Sequence, residues 1–210
     1  MDVGLKDFAT LSTGEKVANP RFLKKSIKKL KRLSRRHSKK KKGSNNRTKS
    51  RIRLARQHEK VTNQRNDFLH KVSTRIVREN QTVCVENLAI SGMMKNHKLA
   101  RAIADVSWSS FMSMLEYKCD WQGKNLVKIG RFEPSSKLCT CGILNHALSL
   151  KDRSWACASC GTTHDRDILA ANNIVRFAFV KQNLLGMDSA DFKPVERGVS
   201  PSLNQESPAL

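Results

Sequence analysis

The spacing of apolar residues predicts two long helices in the first third of the chain. Apolar side chains recur every three or four positions between Leu23 and Leu33, which is the period of one helix face. After a polar loop at residues 39–46, a second helix is expected over residues 48–79. Its seam, interrupted by two polar residues, is predicted to comprise Ile52, Ala55, Glu59, Thr62, Leu69, Val72 and Ile76. Two helices joined by a polar loop form an antiparallel helical hairpin.

Short apolar and β-branched runs on either side of this hairpin predict strands. Residues 1–17 indicate a strand, a turn at residues 12–16 and a second strand. Residues 80–90 contain an unbroken run that predicts a buried strand ending at an acid, Glu86. Residues 125–132 alternate in the manner of a further strand.

Two more helices and a tail complete the predicted elements. A helix is expected over residues 107–121, with Ser107 or Asp105 as its N-terminal cap. Small and apolar residues predict a final helix over residues 168–179. Gly, Pro and Ser then accumulate, and residues 186–210 are expected to be disordered.

The charge distribution indicates a polyanionic partner. The formal net charge is +22, from 40 Lys and Arg against 18 Asp and Glu. Residues 21–60 hold 19 of these basic residues and one acid, Glu59. A solvated charged face is the simpler alternative, but the one-sided density favours phosphate contacts. The predicted nucleic-acid contacts are Lys24, Lys25, Lys28, Lys29, Lys31, Arg32, Arg35, Arg36, Arg51 and Arg53.

An anionic membrane is a second possible partner for so basic a chain. No apolar stretch of the sequence is long enough to span one, so no membrane contact is expected. No secretory signal pattern opens the sequence, and a cytoplasmic location with reduced cysteines is therefore expected.

Two cysteine pairs, each followed by Gly, predict a zinc ribbon. The first pair is one residue shorter than the usual knuckle spacing, and His164 is the better reserve ligand, ahead of His146. A site closed by four thiolates would be structural, not catalytic. Cys84 and Cys119 lack paired spacing and are expected to be core thiols. The predicted zinc ligands are Cys139, Cys141, Cys157 and Cys160.

Three acids stand at the ends of predicted elements. Asp2 lies at the start of the first strand, Glu86 at the end of a later strand, and Asp167 at the start of the last helix. Carboxylates converging in this way could bind two Mg²⁺ ions about 3.5–4 Å apart for phosphodiester hydrolysis. Asp165 is the rival for the third position.

Several motifs in the same order resemble the C-terminal half of the TnpB (OrfB) proteins of bacterial and archaeal insertion sequences. They are DVGL at residues 2–5, VENL at residues 85–88, SSK at residues 135–137 with the two knuckles, HDRD at residues 164–167, and AANNI at residues 170–174.

The resemblance implies an RNA-guided DNA endonuclease linked to DNA transposition and recombination, with guide RNA and DNA as partners. It implies structural Zn²⁺ and catalytic Mg²⁺, with Asp2, Glu86 and Asp167 as the metal-binding catalytic acids. The family pattern selects Asp167 over Asp165. Leu169 stands where many members carry Asn.

The fold implied by the resemblance is α/β and ribonuclease H-like (RuvC-like): a mixed sheet with helices, a basic helical-hairpin insertion and an inserted zinc ribbon. The expected segments are a first RuvC-like segment at 1–20, the basic hairpin at 21–79, a second RuvC-like segment at 80–133, the ribbon at 134–163, a third RuvC-like segment at 164–185 and the tail at 186–210.

The resemblance also leaves the activity of this chain open. Family members have a long N-terminal half for guide and target recognition that is absent here, so a separate polypeptide is a further expected partner. One hypothesis is an endonuclease. The alternative is a catalytically inactive, truncated nucleic-acid-binding zinc-ribbon protein. A basic zinc-ribbon protein of the translation or transcription apparatus is a third.

Overall fold

The computed structural model describes residues 1–149 and 151–184. The tail predicted at residues 186–210 lies outside the described residues. The elements are, in chain order, β1 (Asp2–Val3), β2 (Asp7–Thr10), β3 (Lys16–Ala18), α1 (Phe22–Ser38), α2 (Asn45–Glu79), β4 (Thr82–Val85), α3 (Ile90–Met93), α4 (Ala100–Val106), α5 (Trp108–Trp121), β5 (Asn125–Lys128), β6 (Ser154–Ala156), β7 (Thr163–Asp165) and α6 (Arg166–Leu184).

The strands form an antiparallel sheet, a parallel pair and the ribbon pair. β2 pairs antiparallel with both β1 and β3, whereas β4 and β5 run parallel with Val85 opposite Lys128. A mixed sheet was expected from the sequence. Instead, β1 and β4 belong to two separate sheets. β1 has only two residues, and a hydrogen bond from the Met1 nitrogen to the Cys84 carbonyl at 2.9 Å connects its start with β4.

The predicted helical hairpin is present, but α2 begins earlier than its apolar pattern indicates. Asn45 starts the helix because Ser44 is an N-cap whose hydroxyl accepts a bond from the Arg47 amide at 3.2 Å. Such a cap satisfies an amide that the helix itself leaves unpaired. The residues predicted as loop at 45–46 are thus the first helical residues.

The seam predicted for the first half of α2 is wrong. Ile52 is 43% exposed and Ala55 is also exposed, whereas Gln57 and Val61 are buried. The buried side of the helix is therefore rotated from the predicted one, because α1 packs against α2 along this length. In the second half the prediction is confirmed for Leu69, Val72 and Ile76, which are buried.

Ser107 or Asp105 was expected to cap α5; Ser107 occupies the cap position without a side-chain cap bond, and Asp105 caps α1 instead. Its carboxylate accepts bonds from the Leu23 amide at 3.0 Å and the Lys24 amide at 3.2 Å. α1 has no side-chain cap of its own at Arg21. An acid from α4 therefore satisfies the first turn of a strongly basic helix, and the positive end of the helix dipole favours that charge.

Aromatic packing joins the first sheet to the helices. Phe8 of β2 makes edge-to-face contacts with Phe68 of α2 at 5.0 Å and with Phe111 of α5 at 4.8 Å between ring centroids. On the other side, Ile174 and Ala178 of α6 are fully buried against Cys84 and Ile129, beside β4 and β5. This packing brings the start of α6 towards the ends of β1 and β4.

Among the described residues, none of the helices has the length and apolar character needed to cross a membrane.

Candidate metal centres

The four ribbon cysteines form one tight cluster. Their Sγ atoms all lie within 4.8 Å of one another, with 3.6 Å between Cys139 and Cys160 and 3.7 Å between Cys141 and Cys157. A tetrahedral zinc with Zn–S bonds of about 2.3 Å separates its sulfurs by about 3.8 Å. A disulfide, at about 2.05 Å, is far shorter. The short first knuckle therefore does not prevent the four thiols from surrounding a metal such as zinc.

The two histidines near the ribbon differ in their surroundings. His146 is an exposed loop residue. His164 is buried beside the cluster, with its Nε2 atom 3.1 Å from Cys139 Sγ and its ring 5.0 Å from that of Trp155. A hydrogen bond from a ring nitrogen to a ligating sulfur is a common way to orient a metal ligand. His164 lies where it can support the four cysteines.

The ribbon continues directly into the helix that carries Asp167. β7 ends at Asp165 and α6 begins at Arg166. Leu169 of α6 is buried in a cluster with Cys139, Trp155 and Cys157. Leu169 therefore packs an apolar side chain from the first turn of α6 against the knuckles.

Asp165 serves as the cap of α6. Its Oδ1 atom accepts bonds from the Asp167 amide at 3.0 Å and the Ile168 amide at 3.1 Å, and its Oδ2 atom pairs with Lys16 Nζ at 2.7 Å. Burial opposes ionisation of this group, but the bonds from Lys16 and the helix amides lower the pKa of Asp165 overall. These partners give Asp165 a structural role as the cap of α6. Asp167 therefore remains the candidate for the metal-binding acid.

The structure brings the three candidate acids towards one another. α6, which carries Asp167, contacts both β1 and β4, and Glu86 follows the last residue of β4. Burial and then the negative charges of Glu86 and Asp167 raise the pKa of Asp2 to about 7. Like charges have this effect only across short distances. The Asp2 carboxylate therefore lies within electrostatic reach of both other acids.

The carboxylates are spaced more widely than the thiols. In the part of the chain that is described, the cysteines are the one group of three or more Cys, His, Asp or Glu ligand atoms packed within 4.8 Å. Two Mg²⁺ ions about 4 Å apart, each with Mg–O bonds of about 2.1 Å, allow the outermost oxygens to be up to about 8 Å apart. Carboxylate oxygens are the donor type that hard cations such as Mg²⁺ prefer.

Two arginines lie beside Asp167. Arg166 reaches its Oδ1 atom at 3.3 Å, and Arg153 of the ribbon lies 3.6 Å from its Oδ2 atom. The Asp167 side chain is 18% exposed, so the pairs are partly shielded from solvent. Sequence reasoning assigned no role to either arginine. The position of Arg166 within the HDRD motif was the sequence feature that could have indicated its role.

The third acid, Glu86, accepts a hydrogen bond that the sequence did not reveal. Ser135 Oγ donates to Glu86 Oε1 at 2.6 Å. Ser135 lies in the segment that enters the ribbon, 49 residues further along the chain. The SSK motif marked this position as part of a pattern, but no periodicity connects it with Glu86.

Replacing Asp2 by Asn should change the pH dependence of stability. The folded-state pKa of Asp2 is about 7, above its ordinary value of 3.8. Below its ordinary pKa of 3.8 the protonated carboxyl makes its full contribution to stability, and this contribution is lost progressively as the pH rises from there through 7. In Mg²⁺-free buffer, Asp2→Asn should melt a few degrees above the wild type at pH 8.5, where the contribution is gone, and should match it near about pH 3.5, where the contribution is complete. Thermal melts at the two pH values test this. Exposed Asp120→Asn should show no such difference, and an equal offset for Asp2→Asn at both pH values would contradict the assignment.

The ten basic residues predicted to contact nucleic acid are all exposed. Part of this set lies along a groove of about 420 Å³ on the C-terminal half of α1. The groove is lined by Lys28, Lys31, Arg32, Arg35, Arg36 and Lys39. Five of these belong to the predicted set, and Lys39 is an addition. With basic side chains alone around it, this surface suits phosphate groups.

Two family models match consecutive parts of the chain. Residues 1–97 match OrfB of the IS605 type, described as a probable transposase. Residues 108–174 match the Cas12f1-like TNB domain, and this range contains the ribbon and the start of α6. The chain belongs to the TnpB/OrfB family. The order of the two matches agrees with the order of the motifs in the sequence.

Individual relatives agree with membership in the TnpB/OrfB family. A protein of Streptomyces pristinaespiralis named "Putative RNA-guided DNA endonuclease" is 52% identical over 176 residues, covering 83% of this chain and 44% of that protein. An Escherichia coli protein with the same description, InsQ, is 30% identical over 190 residues, covering 83% of this chain and 47% of that protein. The chain thus spans less than half the length of these TnpB/OrfB relatives.

A solved structure shares the fold of this TnpB/OrfB chain. The match is to Cas12f1 in a cryo-EM structure with sgRNA and target DNA, with a TM-score of 0.55 at 20% identity. It covers 82% of this chain and 48% of the other. At this level of identity, the likeness shows the fold alone.

Proposed function

We propose that this chain carries the nuclease centre of a transposon-associated, RNA-guided DNA endonuclease. Asp2, Glu86 and Asp167 would hold two Mg²⁺ ions in a ribonuclease H-like (RuvC-like) arrangement, and the ribbon cysteines would hold one Zn²⁺. When bound at the acids, Mg²⁺ would supply activation of a water nucleophile and charge stabilisation at the leaving oxygen in phosphodiester hydrolysis. Family membership and the names of the relatives support the substrate class.

The electrostatics of Asp2 are the observation that carries this proposal. Burial first, and then the charges of Glu86 at the end of β4 and Asp167 at the start of α6, raise the pKa of Asp2 on β1 to about 7. Grouping like charges in a partly buried position disfavours the folded state unless a cation or a proton neutralises them. A divalent cation relieves this repulsion, and oxygen donors of this kind suit Mg²⁺.

The protein's own groups set the geometry of this centre. Asp165 caps α6 and thereby fixes the backbone that carries Asp167. Arg166 and Arg153 hold the Asp167 carboxylate from two sides. The zinc ribbon braces the same turn through Leu169. The ribbon is therefore structural, and the acids provide the chemistry.

The basic hairpin is the proposed contact surface for the nucleic-acid backbone. DNA and guide RNA are its proposed partners, and the exposed arginines and lysines of α1 and α2 are its contact residues. Their side chains neutralise phosphates and release counterions, so the affinity should fall steeply with salt.

Neutralising the groove should flatten this salt dependence. A variant with Lys28, Arg32, Arg35 and Lys39 changed to Gln removes four charges that line the groove. Each lost phosphate contact lowers the slope of log K against log salt by about 0.9 for duplex DNA, so a decrease of up to about 3–4 is expected. Fluorescence anisotropy across a salt series measures the slope.

A matched control removes the same charge elsewhere. Lys95, Lys98, Arg101 and Lys151 are exposed and lie outside the hairpin. Changing these four to Gln should leave the slope nearly unchanged. Equal slopes for the two variants would show that net charge, and not the groove, determines binding.

The test of the proposed function is DNA cleavage by the protein with its guide RNA in Mg²⁺, with Ca²⁺ as the non-supporting control. Cleavage that requires Mg²⁺ supports the nuclease. Salt-dependent binding without cleavage would favour the second candidate, a nucleic-acid-binding protein, to which the all-basic groove on α1 also points.

A further inference from the structure

We propose that Ser135 is a positioning residue for Glu86 and that it connects the zinc ribbon with the candidate Mg²⁺ site. The inference rests on the proposed function, because it concerns how the same carboxylate site is held. It assigns a role to a side chain at the entrance of the ribbon, outside the three acids and the four cysteines.

The bond between Ser135 and Glu86 is short and protected. Ser135 Oγ lies 2.6 Å from Glu86 Oε1, and Ser135 is 7% exposed. O–H···O⁻ bonds of about 2.5–2.7 Å are charge-assisted and stronger than neutral ones. A serine hydroxyl has one proton to donate, and here the carboxylate receives it. The bond engages Oε1, so Oε2 is the oxygen that would ligate a cation.

Glu86 has little regular structure to hold it without this bond. β4 ends at Val85, and residues 86–89 between β4 and α3 adopt neither helix nor strand. A glutamate has three side-chain torsions, so an untethered carboxylate samples several positions. A hydrogen bond that fixes one carboxylate oxygen orders the side chain in advance. Metal binding then costs less conformational entropy.

Asn173 holds the backbone of Ser135. It is fully buried in α6, and its Nδ2 atom donates to the Ser135 carbonyl at 2.8 Å and to the Leu138 carbonyl at 2.7 Å. Both amide protons are therefore used on the same short segment. Its Oδ1 atom lies 3.4 Å from the Arg176 guanidinium, which fixes the orientation of the amide.

This segment is also the start of the zinc site. Leu138 directly precedes Cys139, so the Asn173 bonds fix a backbone that carries a zinc ligand at one end and Ser135 at the other. Glu86 and Asp167 are then both linked to the ribbon, one through Ser135 and the other through α6. Loss of zinc should consequently disturb Glu86 as well as Asp167.

The neighbouring serine provides a matched control. Ser136 is half-buried, and its hydroxyl makes no hydrogen bond to any of the described residues. Ser135→Ala and Ser136→Ala make the same chemical change one residue apart. Ser135→Thr retains a hydroxyl and is the conservative variant.

Mn²⁺ binding, followed by the EPR signal of free Mn²⁺, is the readout that does not depend on cleavage. Partners of metal ligands typically contribute 10- to 100-fold in metal affinity. Ser135→Ala should bind Mn²⁺ about 10- to 100-fold more weakly and raise the Mg²⁺ concentration for half-maximal cleavage to a similar degree. Ser136→Ala should match the wild type, and Ser135→Thr should recover most of the lost affinity. All variants should retain one zinc per chain.

The connection with the ribbon is tested by combining changes. Zinc-depleted wild type should lose Mn²⁺ affinity, and adding Ser135→Ala to it should cost much less than in the zinc-bound protein, because both changes release the same carboxylate. Fully additive losses would contradict the connection.

The outcomes distinguish failure of the proposed function from failure of the inference about Ser135. A wild type that binds no Mn²⁺ at the carboxylates overturns the proposed function and, with it, this inference. Equal Mn²⁺ affinities for the wild type and Ser135→Ala would overturn the inference and leave the proposed function standing. If Ser135→Ala fails to retain zinc, Ser135→Thr decides: affinity near that of the wild type supports positioning by the hydroxyl, and a loss of 10-fold or more contradicts it.

Discussion

Asp167→Ala is expected to abolish Mg²⁺-dependent DNA cleavage while retaining nucleic-acid binding. The substitution removes a proposed direct ligand of the cations, and even the hydrogen-bond partners of metal ligands are worth about 10- to 100-fold. A loss of more than about 100-fold is therefore expected. The basic surface of α1 lies on a different element and keeps its charges. Single-turnover cleavage and Ca²⁺-supported binding measure the two effects.

Asp165 and Asp120 provide the controls for this result. Asp165→Asn keeps an oxygen that can accept from the α6 amides, although it loses the charge paired with Lys16. It should reduce cleavage much less than Asp167→Ala. Asp120→Asn, on the exposed end of α5, should have no effect. If Asp165→Asn were inactive and Asp167→Ala active, the roles of the two acids would be reversed.

Cys157→Ser is expected to eliminate zinc binding and to disorder the ribbon together with the first turn of α6. Cys157 is buried in the cluster that also holds Cys139 and Leu169. Structural zinc contributes about 10–16 kcal/mol of apparent binding free energy in zinc-finger peptides, which equals the whole stability of an ordinary domain. Without zinc, the ribbon would depend on the pair β6–β7, with three residues in each strand, and on a small apolar cluster.

Zinc content and hydrogen exchange measure this effect. Cys157→Ser should contain less than one zinc per chain and should exchange amide protons rapidly in residues 163–170. The buried second half of α2, around Leu69 and Ile76, should remain protected. Cys119→Ala removes a buried thiol outside the cluster and should keep its zinc. Unchanged zinc in Cys157→Ser would contradict a four-cysteine site.

The long elements were predictable because their signals are local. Apolar residues at helical spacing gave α1 and most of α2, and an unbroken β-branched run gave β4 with Glu86 at its end. The start of α2 was missed by three residues because Ser44 supplies a cap that apolar periodicity does not register. Boundaries therefore required cap chemistry as well as pattern.

Tertiary contacts decided the features that the sequence did not predict. Ile52 continues an apolar pattern but lies on the side of α2 away from its partner helix. Asp105 precedes α5 in sequence, yet it reaches α1, 81 or 82 residues away in the chain. The division between β1 and β4 follows from a two-residue strand. None of these depends on the residues adjacent in sequence.

The sequence indicated which chemical groups belong to the candidate site, but not the hydrogen bonds that connect them. Cysteine spacing identified all four thiols that cluster, and element ends identified two acids, Glu86 and Asp167, whose charges act on the third, Asp2. The hydrogen bond from Ser135 to Glu86 and the two bonds from Asn173 were not predictable, since serine and asparagine occur in many loops and helices. Their signals were the SSK motif at residues 135–137 and the AANNI motif at residues 170–174.

The central claim is that Asp2, Glu86 and Asp167 bind divalent cations together. Anomalous diffraction from a crystal of the protein soaked in Mn²⁺ tests it most directly. The account predicts one or two peaks within about 2.0–2.4 Å of oxygens from all three residues, separate from the zinc peak among the cysteines. Manganese peaks elsewhere, or three carboxylates that share no ion, would contradict it.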